Sequence, residues 1–166
     1  MKRKIFNNMV YIAVVAVLIT TTLLGMFTYY RYMEQVKSGI KDEAAYLAAS
    51  LNVKDNQNLN KYKNITVSRI TRVDQNGKVI YDSSGKEKSM GNHKNRTEIK
   101  EAYEKGQGED TRMSNTLRKQ TYYYAVRLKD GTILRMSRET QTIIKQMEDI
   151  IPIIMLMLAV VTILSM

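Results

Sequence analysis

No residue from Ile5 to Tyr30 is charged, and Met9–Phe27 is almost wholly Val, Ile, Leu, Ala, Met and Thr. A membrane-spanning helix needs roughly 20 such residues, so the first thirty positions have little else to form. Tyr29, Tyr30 and Tyr32 then suit an interfacial aromatic belt. A cleaved signal peptide with Lys2–Lys4 as its basic region is the rival. The apolar run exceeds the usual 7–15 residues of such a peptide, and Leu24-Gly25-Met26-Phe27 offers no small-x-small cleavage site. A second uncharged run, Ile150–Met166, closes the chain. Its 17 residues span about 25 Å as helix, short of the ~30 Å hydrocarbon core. The expectation is therefore the front piece of a longer protein or a truncated reading frame. Pro152 falls in the first turn of this second helix or kinks it, and both are tolerated.

Between these segments lies a polar region whose own core, without the linking helices, is about 75–85 residues, within reach of one independent fold. Lys2, Arg3 and Lys4 precede the first segment; the other 23 of 26 basic residues share the middle with all 16 acidic ones, leaving 23 − 16 = +7 of the total +10. The signs are mixed, with no basic run and no nucleic-acid-binding motif, so nucleic acid is not an expected partner. With no cysteine, disulfides and thiolate metal sites are excluded. A middle region of about 120 residues is too long for the positive-inside rule to count its charges. Lys2–Lys4 favour an inside N-terminus, which places the domain outside the cytoplasm and both chain ends inside, in a two-pass membrane protein.

The expected divisions are 1–30 (basic residues and first membrane helix), 31–52 (membrane-proximal helix), 53–138 (folded domain), 139–149 (linker helix) and 150–166 (second membrane helix). Met33, Val36, Ile40, Ala44, Leu47 and Leu51 are spaced 3-4-4-3-4, one face of an α-helix. This stripe either packs on its own domain or pairs with a second subunit; pairing in a homodimer is the preferred expectation. Strands are predicted at Ile65–Val73, Val79–Asp82, Asp110–Ser114, Thr121–Leu128 and Thr132–Ser137. A helix is predicted at Glu98–Lys105, capped by Thr97 and stopped by Gly106. Asn76-Gly77 and Asp130-Gly131 mark hairpin turns. The fold class is α+β: a five-stranded antiparallel sheet with flanking helices, held between two transmembrane helices.

Few residues suggest catalysis. His93 is the only histidine. A Ser83–His93–Asp82 set lacks a nucleophile-elbow motif. Asp74-x-Asn76-Gly77 begins like a calcium loop but lacks the spacing and final Glu. No phosphate loop or dinucleotide fingerprint occurs, so no cofactor, metal or catalytic residue is expected in this chain. A pocket is the remaining possibility. His93, Arg96, Arg112, Tyr122, Tyr124 and Arg135 are placed around a space beneath the short helix, where arginine forks and tyrosine hydroxyls suit a small carboxylate or phosphate. The competing reading makes them solvated strand faces and core tyrosines.

Arg69-Ile-Thr-Arg-Val-Asp-Gln-Asn-Gly-Lys-Val-Ile-Tyr-Asp-Ser83 resembles the R-I-T-x-I-D-x-x-G-x-V-L-x-D-S hairpin of phosphate-regulon-type bacterial sensor histidine kinases. Met90-Gly-Asn-His-Lys-Asn-Arg-Thr-Glu98 resembles their M-x-N-H-x-N-R-P-E loop, with Thr97 in place of the usual Pro. Thr111–Arg118 followed by Tyr122–Val126 resembles x-R-x-S-x-T-L-x…Y-x-A-V. The resemblance implies an extracytoplasmic PAS-like (Cache/PDC-type) input domain of a homodimeric two-component sensor that signals to a response regulator. The phospho-accepting His and the ATP- and Mg-binding kinase of such proteins would follow Met166. A chemoreceptor, a cyclic-dinucleotide enzyme or a free-standing membrane modulator are the alternatives. The stimulus, an anionic solute or an envelope protein, is not named by the sequence.

Overall fold

The computed structural model describes residues 2–51, 58–114, 119–140, 148, 151–157 and 159–160. It divides into two units, Met1–Glu34 with Gln141–Met166, and Gln35–Thr140. In the first unit residues 2–34 are helical, as part of α1 (Lys2–Ser50). By length and composition α1 suffices to cross a membrane, with a mean hydropathy of 2.3 over its most apolar stretch. Residues 151–157 are also helical. The predicted linker helix 139–149 does not begin at Glu139, which is paired in the last strand of the sheet; the rest of it, after Thr140, and the end of the second membrane helix lie almost wholly outside the described residues.

The second unit holds a sheet of β1 (Arg69–Val73), β2 (Val79–Asp82), β3 (Gln107–Met113), β4 (Gln120–Arg127) and β5 (Ile133–Glu139), in the order β2-β1-β5-β4-β3. All four pairings are antiparallel. The predicted α+β class and five-stranded antiparallel sheet are therefore present. The first strand is shorter than predicted. The amides of Ile65 and Thr66 both donate to the Tyr62 carbonyl at the end of α2 (Asn58–Tyr62), which keeps these β-branched residues in a turn.

Strand alternation gives the sheet two faces. On one face Val73, Val79, Ala125 and Ile133 form a core with Ile99 and Ala102 of α3 (Thr97–Lys105). Arg96, in extended backbone, is the N-cap of α3, and its side chain makes no cap bond; Thr97 is the first helical residue rather than the cap. Gly106 ends α3 at φ 86°, the left-handed conformation that a C-terminal glycine supplies cheaply. Gly108 pairs with Ala125 directly beneath α3. A Cβ there would collide with the Glu98 carbonyl and lie 2.6 Å from the Glu101 Cβ, so the helix rests on bare backbone.

The opposite face carries Ile70, Leu134, Met136, Tyr122 and Tyr124, all buried. The C-terminal part of α1 covers it, with Lys37 and Lys41 lying 5.7 and 5.6 Å from the rings of Tyr122 and Tyr124. Val36, Ile40, Ala44 and Leu47 are buried here, while Met33 and Leu51 are half-buried. Burying Val36, Ile40 and Leu47 is worth roughly 1.5–3 kcal/mol each. The stripe expected to pair with a second subunit is thus largely buried against the chain's own sheet.

Candidate functional site

The hairpin turn positions the loop that leads to the site. Asp74 Oδ1 accepts from the amides of Asn76 and Lys78, both at 2.9 Å, and Gly77 sits at φ 85°. The Gly77 carbonyl then accepts from the His93 amide at 2.7 Å, and the Asn76 carbonyl from Asn92 Nδ2 at 2.8 Å. The loop is thereby pinned across the hairpin, and His93 is carried inward, 8% exposed.

Beneath α3 the sheet and helix enclose a continuous ionic network. Glu98, in the first turn of α3, is fully buried. Its Oε2 accepts from Arg112 Nη1 at 2.7 Å and its Oε1 from Arg112 Nη2 at 2.9 Å, a bidentate fork. Arg135 Nη1 donates to the same Oε1 at 3.3 Å, and Arg135 Nη2 to Thr71 Oγ1 at 3.3 Å. Thr71 donates to Asp82 at 2.9 Å; Asp82 accepts two bonds from Arg69 Nε and one from its Nη2. Arg112 also reaches Asp110. The Tyr123 ring lies 4.1 Å from the Arg112 guanidinium carbon and 5.3 Å from that of Arg135. Within this network Arg135 Nε and His93 Nδ1 are buried with no hydrogen-bond partner among the described residues.

These groups set one another's protonation. Burial pushes the Glu98 carboxyl up, but the Arg112 hydrogen bonds and the charges of Arg135 and Arg112 outweigh it and hold it below the usual range. Asp82 is likewise held low, burial being outweighed by the bonds from Arg69 and Ser84. His93 is pushed down to about 4, first by burial and then by the charges of Arg135 and Arg96; Arg112 acts with them and Glu98 against.

A pH dependence follows from His93. Unfolded, the imidazole takes a proton near pH 6.5; folded, it stays neutral to about 4. Between these values the unfolded chain binds more protons, so stability falls as pH falls, by at most ~1.4 kcal/mol per pH unit. From pH 6.5 to 5, where carboxylates contribute little, the urea midpoint of the domain is expected to drop. His93→Gln is expected to flatten that slope; an unchanged slope would assign the effect elsewhere.

Of the six residues predicted to line a pocket, the structure gathers His93, Arg112 and Arg135. Arg96 stands at the margin as the N-cap of α3. Tyr122 and Tyr124 do not belong: they point to the α1 face, where Tyr122 bonds Glu109 and Tyr124 bonds Gln107 at 2.8 Å. Tyr123, between them, is the tyrosine under the arginines. Tyr123 shares its face with Gly108 and Ala125, the small pair on which α3 rests. Glu98, Thr71 and Asp82 were also missed. Among the described residues no cluster of three or more His, Cys, Asp or Glu side chains could hold a metal ion.

A family model described as Single Cache-like matches residues 30–133, well over half of the chain. No curated protein matches. Among solved structures, the chain is similar to that described as the Bacillus subtilis YkuI protein, with an EAL domain, in complex with substrate c-di-GMP and calcium. The identity is 15% and the TM-score 0.48, over 75% of this chain and 36% of that one. The chain thus spans little more than a third of that protein's length.

Proposed function

The chain belongs to the Single Cache-like family, and from that premise we propose that it is the signal-sensing input module of a membrane-bound two-component sensor. In this reading α1 and the segment 150–166 are the two passes. The domain faces away from the cytoplasm, two copies act together, and the output is a histidine kinase that phosphorylates a response regulator. The kinase reading rests on the resemblance of Arg69–Ser83 and Met90–Glu98 to the hairpin and loop of such kinases. This part of the protein supplies an input rather than catalysis.

The observation that best supports an input role is the two-sided use of β5. On one face Arg135 binds Glu98. Three residues on, Arg138 bonds Glu43 of α1 at 2.6 Å and Ser68 at 3.0 Å from the opposite face. One strand therefore ties the buried network to the helix that carries the first membrane segment. A change of state at Glu98 would shift β5 and with it the Arg138–Glu43 contact.

The test joins residues 1–166 to the cytoplasmic region of a well-behaved histidine kinase with a transcriptional reporter. Arg138→Ala and Glu43→Ala are each expected to change basal output about threefold or more, with unchanged membrane insertion. The charge swap Glu43→Arg with Arg138→Glu should return it toward wild type. Output that ignores all three variants would contradict the input role. A regulated output only when the chain is joined to a methyl-accepting or cyclic-dinucleotide region would favour that parent instead.

A further inference from the structure

Two arginines from different strands, an aromatic floor and a buried histidine converge on one carboxylate. Such an arrangement ordinarily receives a ligand from solution. Here the carboxylate is the chain's own. Both Glu98 oxygens are engaged, Oε1 by Arg112 and Arg135 and Oε2 by Arg112. The Glu98 side chain is fully buried, and those of Arg135 and Arg112 are 6% and 24% exposed.

Charge decides whether a further anion fits. The network contains three guanidinium groups, Arg69, Arg112 and Arg135, and three carboxylates, Asp82, Glu98 and Asp110. His93 is neutral at ordinary pH. Within this bonded network the count is balanced; Arg96, partly exposed at the N-cap of α3, stands outside it. A second carboxylate or a phosphate beside Glu98 would be buried without a counter-charge from the network, which is strongly unfavourable. Removing Glu98 alone would leave two guanidinium groups facing each other over Tyr123. Arg135 Nε and His93 Nδ1 are buried and without hydrogen-bond partners among the described residues, so Glu98 does not satisfy every polar atom of the two side chains.

We propose that the Arg112–Arg135 fork over Tyr123 is a carboxylate receptor filled from within by Glu98. An external carboxylate enters only when Glu98 leaves. The resting domain is therefore self-liganded and does not take up a small anion at this face. Displacing Glu98 would free the first turn of α3, which otherwise rests on Gly108. The proposal refines the sensor reading, but its test measures binding, so either can fail without the other.

Acetate is, atom for atom, the group that Glu98→Ala removes beyond Cβ. The full chain in lipid nanodiscs is melted while tyrosine near-UV circular dichroism reports the domain, in sodium acetate and in sodium chloride of equal ionic strength. Glu98→Ala is expected to melt well below wild type in chloride. Acetate at about ten times its Kd should raise that midpoint by about 5 °C or more, saturably. Wild type should melt alike in both salts and in inorganic phosphate. If Glu98→Ala does not fold in chloride, acetate-dependent recovery of the near-UV signal supports the proposal, and no recovery overturns it. A saturable rise of the wild-type midpoint with acetate or phosphate overturns it whatever the variant does.

Discussion

Arg135→Met is expected to destabilise the sensor domain by about 3 kcal/mol, among the largest effects of any single substitution in it. Arg135 is buried between Glu98 and Thr71. Methionine fills similar space but removes the charge, so Glu98 keeps Arg112 alone and the network carries a net negative charge. Removing one partner of a buried ion pair typically costs 3–5 kcal/mol. Because Arg112 keeps its bidentate hold, the lower end is expected. Urea unfolding of the full chain in nanodiscs measures it. Arg127→Met, on the exposed end of β4, should change stability by less than about 0.5 kcal/mol. In a Glu98→Gln background the cost of Arg135→Met should shrink by at least ~1 kcal/mol, the signature of direct coupling. An unchanged cost in that background would show that Arg135 acts through packing rather than through Glu98.

Gly108→Val should produce a loss of similar size, about 2–3 kcal/mol, by a different route. The valine side chain would occupy the place of the Glu98 carbonyl and the Glu101 Cβ. Both belong to α3, so the helix must lift from Ala125 and Ile133 or the strand must bend. Faster hydrogen exchange at the amides of α3, with the β1–β2 hairpin unchanged, would localise the damage. Gly91→Val is the control, since a Cβ there meets nothing within 4 Å. Equal losses at Gly91 and Gly108 would mean that close helix–sheet contact is not what Gly108 provides.

The elements that were legible in the sequence are those whose signals are local. Asn76-Gly77, Asp130-Gly131 and the helix stop at Gly106 need positive φ, and glycine supplies it without a partner. Val79–Asp82 has the predicted limits because turns bound it on both sides. The long uncharged helix follows from composition alone. What was missed depends on which side of the sheet a residue faces. Tyr122, Tyr123 and Tyr124 are chemically alike, and a one-residue error in parity sends the wrong pair to the arginines. Glu98 reads as an exposed first-turn acid, and nothing nearby announces that Arg112 and Arg135, from distant strands, will enclose it. The amphipathic stripe of α1 was legible as a stripe. Whether its partner is a sheet or a second helix is a tertiary fact, and Val36, Ile40, Ala44 and Leu47 were taken by the sheet.

The claim that α1 holds a sensor domain outside the cytoplasm is tested most directly by cysteine accessibility. The natural chain contains no cysteine, so single substitutions label without background. Lys88→Cys lies on the exposed loop of the domain, and Lys4→Cys precedes the apolar segment. With a membrane-impermeant maleimide, Lys88→Cys should label in intact cells, and Lys4→Cys only after the membrane is opened. Labelling of Lys88→Cys only in opened cells would put the domain in the cytoplasm and contradict the sensor account.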